Sequence, residues 1–118
     1  METNKRACFA LIAASLVNKM TYRRVTDQDT GQIHTIKSYD VATNAPHFYD
    51  ELRGGQVRKT GNGFYDNVTG TNVITSVIGN EVKCNDHETG CQVIFRVNGQ
   101  HVHANDHQTG CRHDYRIH

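Results

Sequence analysis

The stretch Asp86–Gly110, DHETGCQVIFRVNGQHVHANDHQTG, holds two copies of one turn string, D-x-x-T-G, with an Asn-Gly pair between them. The string also occurs at Asp27–Gly31 and Asp66–Gly70, and Asp40–Asn44 repeats it with Asn in place of Gly. Asp opens such a turn by accepting hydrogen bonds from backbone amides ahead of it. The last position needs φ > 0, which Gly adopts freely and Asn tolerates best among the rest. Asp27, Gly31, Asp66, Gly70, Asp86, Gly90, Asp106 and Gly110 are therefore read as turn-forming residues. Gly79-Asn80 and Asn98-Gly99 lie between the later turns and mark two-residue hairpins. Alternating long and short turns specify an up-and-down antiparallel meander.

Turn positions set the register and hence the faces. An Asn98-Gly99 loop places Val97 opposite Gln100 and Phe95 opposite Val102. The turn after Asp106 places it opposite Cys111, with Ala104 opposite His113. One face then collects Val73, Val77, Val82, Cys84, Cys91, Val93, Phe95, Val97, Val102, Ala104, Cys111, Tyr115 and Ile117. The other collects Ile74, Lys83, Ile94, Arg96, His101, His103, Arg112, Asp114, Arg116 and His118, among other polar residues. An apolar and a wet face of this kind fit an antiparallel sheet covered on one side. The register of 50–65 stays open, because glycines crowd it.

The cover comes from the other end of the chain. Ala7–Val17 is an apolar run with Phe9, Ile12, Leu16 and Met20 at helical spacing. It is too short to span a bilayer, which takes about 20 residues. A basic start followed by an apolar run also suits a signal peptide, with Ala13-Ala14-Ser15 as a cleavage site. The retained helix is the favoured reading because the apolar sheet face needs a partner. The expectation is a single, mainly β domain (α+β by count) over residues 1–118. Residues 1–19 form a helix packed on or inside a curled meander of about six to eight strands spanning 20–118. A cytoplasmic location goes with the retained helix, a secreted one with residues 1–15 serving as a signal peptide.

The 118 residues hold thirteen Lys and Arg against twelve Asp and Glu, a formal charge of +1. No global field steers such a chain toward nucleic acid or an anionic membrane. The length excludes large enzyme architectures such as a (β/α)₈ barrel of about 250 residues. Six of the eight histidines and three of the four cysteines fall in 82–118. Acidification toward pH 5–6 would make that third strongly positive. The core-face register reads the cysteines as small buried hydrophobes. A Cys84–Cys91 bridge and metal ligation are the alternatives. His101, His103, Asp114 and His118 are the candidate zinc or copper ligands, His103 lying opposite Asp114.

No G-x-S-x-G, P-loop, H-E-x-x-H or G-x-G-x-x-G string occurs, and no catalytic residue is named. Nucleic acid is disfavoured because the wet face of 71–118 carries bases but no aromatic side chain for stacking. Tyr65-Asp66 through Gly70, with its twenty-residue recurrence, resembles the YD repeats of large bacterial and animal surface proteins. The likeness covers about 55 residues in shared turn chemistry; later copies lack the tyrosine, and no function is carried over.

The expected function is non-enzymatic binding or assembly. The contact face is Arg96, His101, His103, Arg112, Arg116, Ile74 and Ile94, and an edge strand over 111–118 would take a protein partner or a second copy. The alternatives are a zinc- or copper-binding module in the His/Cys-rich third and, further off, a small enzyme.

Overall fold

The computed structural model describes residues 1–118. One helix, α1 (Thr3–Asn18), precedes ten strands: β1 (Arg24–Asp27), β2 (Ile33–Tyr39), β3 (His47–Asp50), β4 (Gly55–Lys59), β5 (Gly63–Asp66), β6 (Thr71–Ile78), β7 (Glu81–Asp86), β8 (Cys91–Asn98), β9 (His101–Asp106) and β10 (Cys111–Ile117). Every strand pairs antiparallel with its sequence neighbours, and β1 pairs with β10 to close the barrel. The meander is thus longer than expected, and it has no ends. The predicted edge over 111–118 does not exist, because β10 is hydrogen-bonded to β9 on one side and β1 on the other.

The repeated turn appears five times, all at one end of the barrel. In each, the glycine N–H donates to the aspartate carbonyl at 2.7–2.8 Å, and the glycine sits at φ between +69° and +76°. The fifth copy is Asp50-Glu-Leu-Arg-Gly54, whose arginine replaces the threonine of the string. Asp40–Asn44 is not a copy. It joins β2 to β3 at the opposite end, and Asp40 itself takes positive φ. Both two-residue hairpins begin with a glycine at φ +61° followed by an ordinary residue, the type II′ pattern. The loop is therefore Gly99-Gln100. Val97 pairs with Val102 and Phe95 with Ala104, two residues from the derived register. A shift by two preserves the faces, so the division into inner and outer residues stands.

Helix α1 lies inside. Lys5–Ser15 are eleven consecutive buried residues, so no face of this segment meets solvent. At about 1.5 Å per residue its 16 residues run to about 24 Å. Small side chains at Ala7, Cys8, Ala10, Ala13 and Ala14 let the wall approach closely. The helix backbone runs nearer β1, β2 and β7–β10. Phe48 and Phe64 fill the wider gap on the other side, and Phe9 meets Phe64 edge-on at 6.2 Å. Glu2 caps the start by accepting the Asn4 and Lys5 amides, both at 2.9 Å. Lys19, in the left-handed conformation, closes the last turn onto the Ser15 carbonyl. Val77 and Cys111 carry core-face parity but are exposed, because they stand at the rims beyond the helix. No helix is long and apolar enough to cross a membrane.

The string's aspartates do more than turn the chain. Asp27, Asp50, Asp66, Asp86 and Asp106 share strand parity with the core, so all five carboxylates point inward and are buried. The helix start meets them with cations. Lys5 Nζ donates to Asp86 at 2.7 Å, and Arg6 Nη1 to Asp106 at 2.9 Å. The Met1 ammonium also donates to Asp106, at 3.0 Å, while Arg53 bridges Asp50 at 2.6 Å and Asp66 at 2.7 Å. Removing one member of a buried, hydrogen-bonded pair typically costs about 3–5 kcal/mol, since the other charge is left uncompensated. Lys5→Met should lower unfolding free energy by about that amount in urea titration; an unchanged midpoint would show that the helix start does not occupy the barrel.

Candidate functional site

The barrel has no ligand chamber, because α1 fills it. The two concave regions of the surface are both open and lie outside the wall, beside β1 and β2. One, of about 390 Å³, is lined by Thr21, Arg23, Arg24, Thr35 and His118. The other, of about 410 Å³, shares Thr21, Arg23 and Thr35 and continues over Lys37, Ser38 and Tyr39 to Glu51. They form one groove because β1 is short. It leaves β2 at Arg24, and the chain turns in toward the helix through Tyr22, whose carbonyl accepts the Ser38 hydroxyl at 2.8 Å.

The outer wall of β7–β10 carries the side chains expected there. Glu81, Arg96, His103 and Asp114 stand in one cross-strand row. Arg96 donates to Glu81 at 2.5 Å, and His103 Nδ1 lies 2.7 Å from Asp114 Oδ1. Arg112 Nε donates to the same carboxylate oxygen at 2.9 Å. Asp114 is held below the usual carboxylate range by the Arg112 and His103 hydrogen bonds, and Glu81 likewise by Arg96. Arg116 stands opposite His101 on one side and Thr26 on the other, and Ile74 and Ile94 are half-buried on this wall.

The proposed metal ligands divide. His103 and Asp114 meet, but the Arg112 guanidinium lies 2.9 Å from His103 Nδ1 and occupies the space a cation would need. His101 faces Asn98 and Arg116, and His118 lines the groove. No group of three or more His, Cys, Asp or Glu side chains is placed to hold a metal ion; Asp66, Asp86 and Glu88 converge on the Lys5 ammonium instead. All four cysteines are free thiols, so Cys84 and Cys91 are not bridged. Cys8 and Cys84 are buried as small hydrophobes, and burial pushes both thiols up. Cys91 is half-buried and Cys111 exposed, both at strand starts on the turn rim.

One further chain of groups has the order of a nucleophile relay. Asp29 lies 2.7 Å from His113 Nδ1, and His113 Nε2 lies 3.0 Å from the Thr109 hydroxyl. That hydroxyl also accepts the Cys111 N–H, as Thr89 and Thr30 do in their own turns. Arg6 approaches the same Nδ1 at 3.3 Å, and neither concavity reaches the group. The chain therefore reads as a tie between the first turn, the last turn and α1. Sequence reasoning missed it, along with the inward charges. The available signal was parity: each turn aspartate follows a core residue by two, as Asp66 follows Phe64.

His34 breaks the interior pattern. It is 1% exposed, and neither ring nitrogen has a hydrogen-bond partner within the protein. Burial lowers its pKa, against the opposing pull of Asp50 and Asp27. Of the five inward aspartates, Asp27 is the one without an ion pair.

No family model matches the chain, and neither a curated protein nor a solved structure resembles it closely enough to place it in a family.

Two measurements check this interior. Burial holds the folded pKa of His34 below its unfolded value of about 6.5, so its contribution to stability is present above that pH and falls as pH drops below it. His34→Leu should flatten that part of the profile in urea titrations between pH 8 and 5.5, and an unchanged slope would remove His34 as the cause. In native protein a thiol reagent should modify Cys111 rapidly and Cys8 and Cys84 only on unfolding. Rapid native labelling of Cys8 would contradict an enclosed helix.

Proposed function

We propose that this protein is a non-enzymatic binding module whose outer wall captures an anionic macromolecular partner along the seam between β10 and β1. The reading rests on how the fold divides its charge. Five of the twelve acids and three of the thirteen bases point into the barrel, which leaves ten bases against seven acids outside. The near-neutral total thus becomes a positive exterior, and complementary charge of this kind governs encounter and orientation of a partner.

The observation that carries the proposal is which outer cations are already used. Arg96 is matched by Glu81 and Arg112 by Asp114. Arg23, Arg24 and Arg116 pair with no carboxylate. They gather around the β10–β1 seam with His101 and His118, beside a groove whose β1 end is lined by no Asp or Glu side chain. The expected face of Arg96, His101, His103, Arg112, Arg116, Ile74 and Ile94 thereby acquires a centre at Arg116 and an extension to Arg24. The paired members are already matched within the wall, and the unpaired ones are available to a ligand.

A fluorescein-labelled poly-glutamate 20-mer at low salt tests the assignment by anisotropy. Arg24→Gln with Arg116→Gln should weaken binding on the order of tenfold, about 1.4 kcal/mol. Arg96→Gln, which removes a cation already matched by Glu81, should change it far less. Equal losses from both would remove the seam as the contact centre.

A further inference from the structure

The aromatic side chains missing from the wall of β7–β10 stand on the wall across the β1 seam. Across β2–β5 the register aligns Tyr39, His47, Arg58 and Tyr65 in one outward row, and Lys37, Tyr49 and Gln56 in the row beside it. At about 4.8 Å per strand the first row spans roughly 14 Å. Tyr39 is exposed and stacks on His47, centroids 4.9 Å apart at 11°. Arg58 is exposed between two π-bearing neighbours and, like Arg23 and Arg24, pairs with no carboxylate. The acids on this side, Glu51 and Asp40, face Lys37 at 3.5 Å and His47 at 3.8 Å. The groove joins this wall to the basic seam, because its far end is lined by Lys37 and Tyr39.

We infer that this surface binds single-stranded nucleic acid, with phosphates along Arg24, Arg23 and Arg58 and bases stacked on Tyr39, Tyr49 and Tyr65. The inference rests on the anionic-partner reading and names that partner's class. Its two elements, unpaired cations tracking a backbone and flat rings offered between them, are what sequence-tolerant single-strand recognition requires. A duplex keeps its bases stacked inside, so the rings on this convex wall would have nothing to receive. The outward face of 71–118 carries no such ring, since Phe95 and Tyr115 point inward. The rings lie in 39–65, the part of the chain whose register glycines obscured.

The test uses the full chain and fluorescence anisotropy with labelled ten-nucleotide oligo-dT and oligo-rU, a 20-base-pair duplex, and the poly-glutamate 20-mer. The oligonucleotides should bind more tightly than the duplex. Tyr39→Ala with Tyr49→Ala should weaken oligonucleotide binding about tenfold or more while leaving poly-glutamate binding unchanged. Tyr39→Phe, which keeps the ring, should retain affinity. With three phosphates contacted, log K should fall with log salt at a slope of about −2, and Arg23→Gln with Arg24→Gln should shallow it. Equal binding of duplex and single strand, or no loss in the tyrosine variants at unchanged melting temperature, would overturn the inference. Binding of poly-glutamate alone would overturn it and leave the anionic-partner reading intact. Binding of neither probe would overturn both.

Discussion

Lys5–Ser15 of α1 are enclosed on every side, and the charges at the helix start are satisfied chiefly by carboxylates on the barrel's inner face. Lys5 and Arg6 enter the lumen as cations, and Asp86, Asp106 and Arg53-bridged Asp66 meet them there. Desolvating such charges is expensive, and attraction repays it only when every group finds a hydrogen-bonded partner. The arrangement therefore admits one depth and one rotation of the helix. Sliding by a single turn, about 5.4 Å, would draw Lys5 away from Asp86 toward the apolar positions deeper in the wall, of which Cys84 is the first on that strand. Burial works against ionisation of Asp106, yet hydrogen bonds from Met1, Gln108 and Arg6 hold its pKa below the ordinary value. Registration, more than strength, is what these pairs supply.

The same constraint explains how one short motif serves two purposes. The backbone of D-x-x-T-G makes the turn, through the glycine N–H to the aspartate carbonyl. The aspartate side chain, at core parity, both steadies the turn amides and meets the helix charges; Asp86 Oδ1 takes Glu88 N–H at 3.2 Å and Lys5 Nζ at 2.7 Å. In the second hairpin Arg53 replaces the threonine, and the cation comes from the wall itself. The first hairpin departs further. Asp27 has no cation, and His34 stands buried without a partner. Five nearly equivalent hairpins thus surround a helix that has no fivefold symmetry, and the mismatch gathers at the strands nearest the groove.

Filling the lumen also decides where recognition takes place. A barrel of this size offers a chamber only when its interior is empty, and here phenylalanines and α1 occupy it. The outer wall is left, and it is not uniform. One side, β7–β10, is laced by the Glu81–Arg96 and Asp114–Arg112–His103 contacts. The other, β2–β5, presents tyrosines and an unmatched arginine, and the seam at β1 joins the two. Closure of the sheet places these walls side by side although they are far apart in the chain.

The amino-acid string alone determined the antiparallel order and the two faces of 71–118, and its turns to within the shift of one loop from Asn98-Gly99 to Gly99-Gln100. Each follows from local backbone preference and two-residue alternation, and neither depends on distant contacts. It also supplied the apolar run 7–17 as the only cover for the sheet. Closure was beyond its reach, because pairing of β1 with β10 joins residues some ninety positions apart and leaves no local mark. So was the depth of Lys5 and Arg6, which read as a basic flank until the barrel surrounds them. The cysteines divided by height within the barrel rather than by parity, and parity was all the string displayed. The +1 balance is a sum over residues. Only the fold decides which of those charges are turned inward to hold a helix and which remain outside to meet a partner.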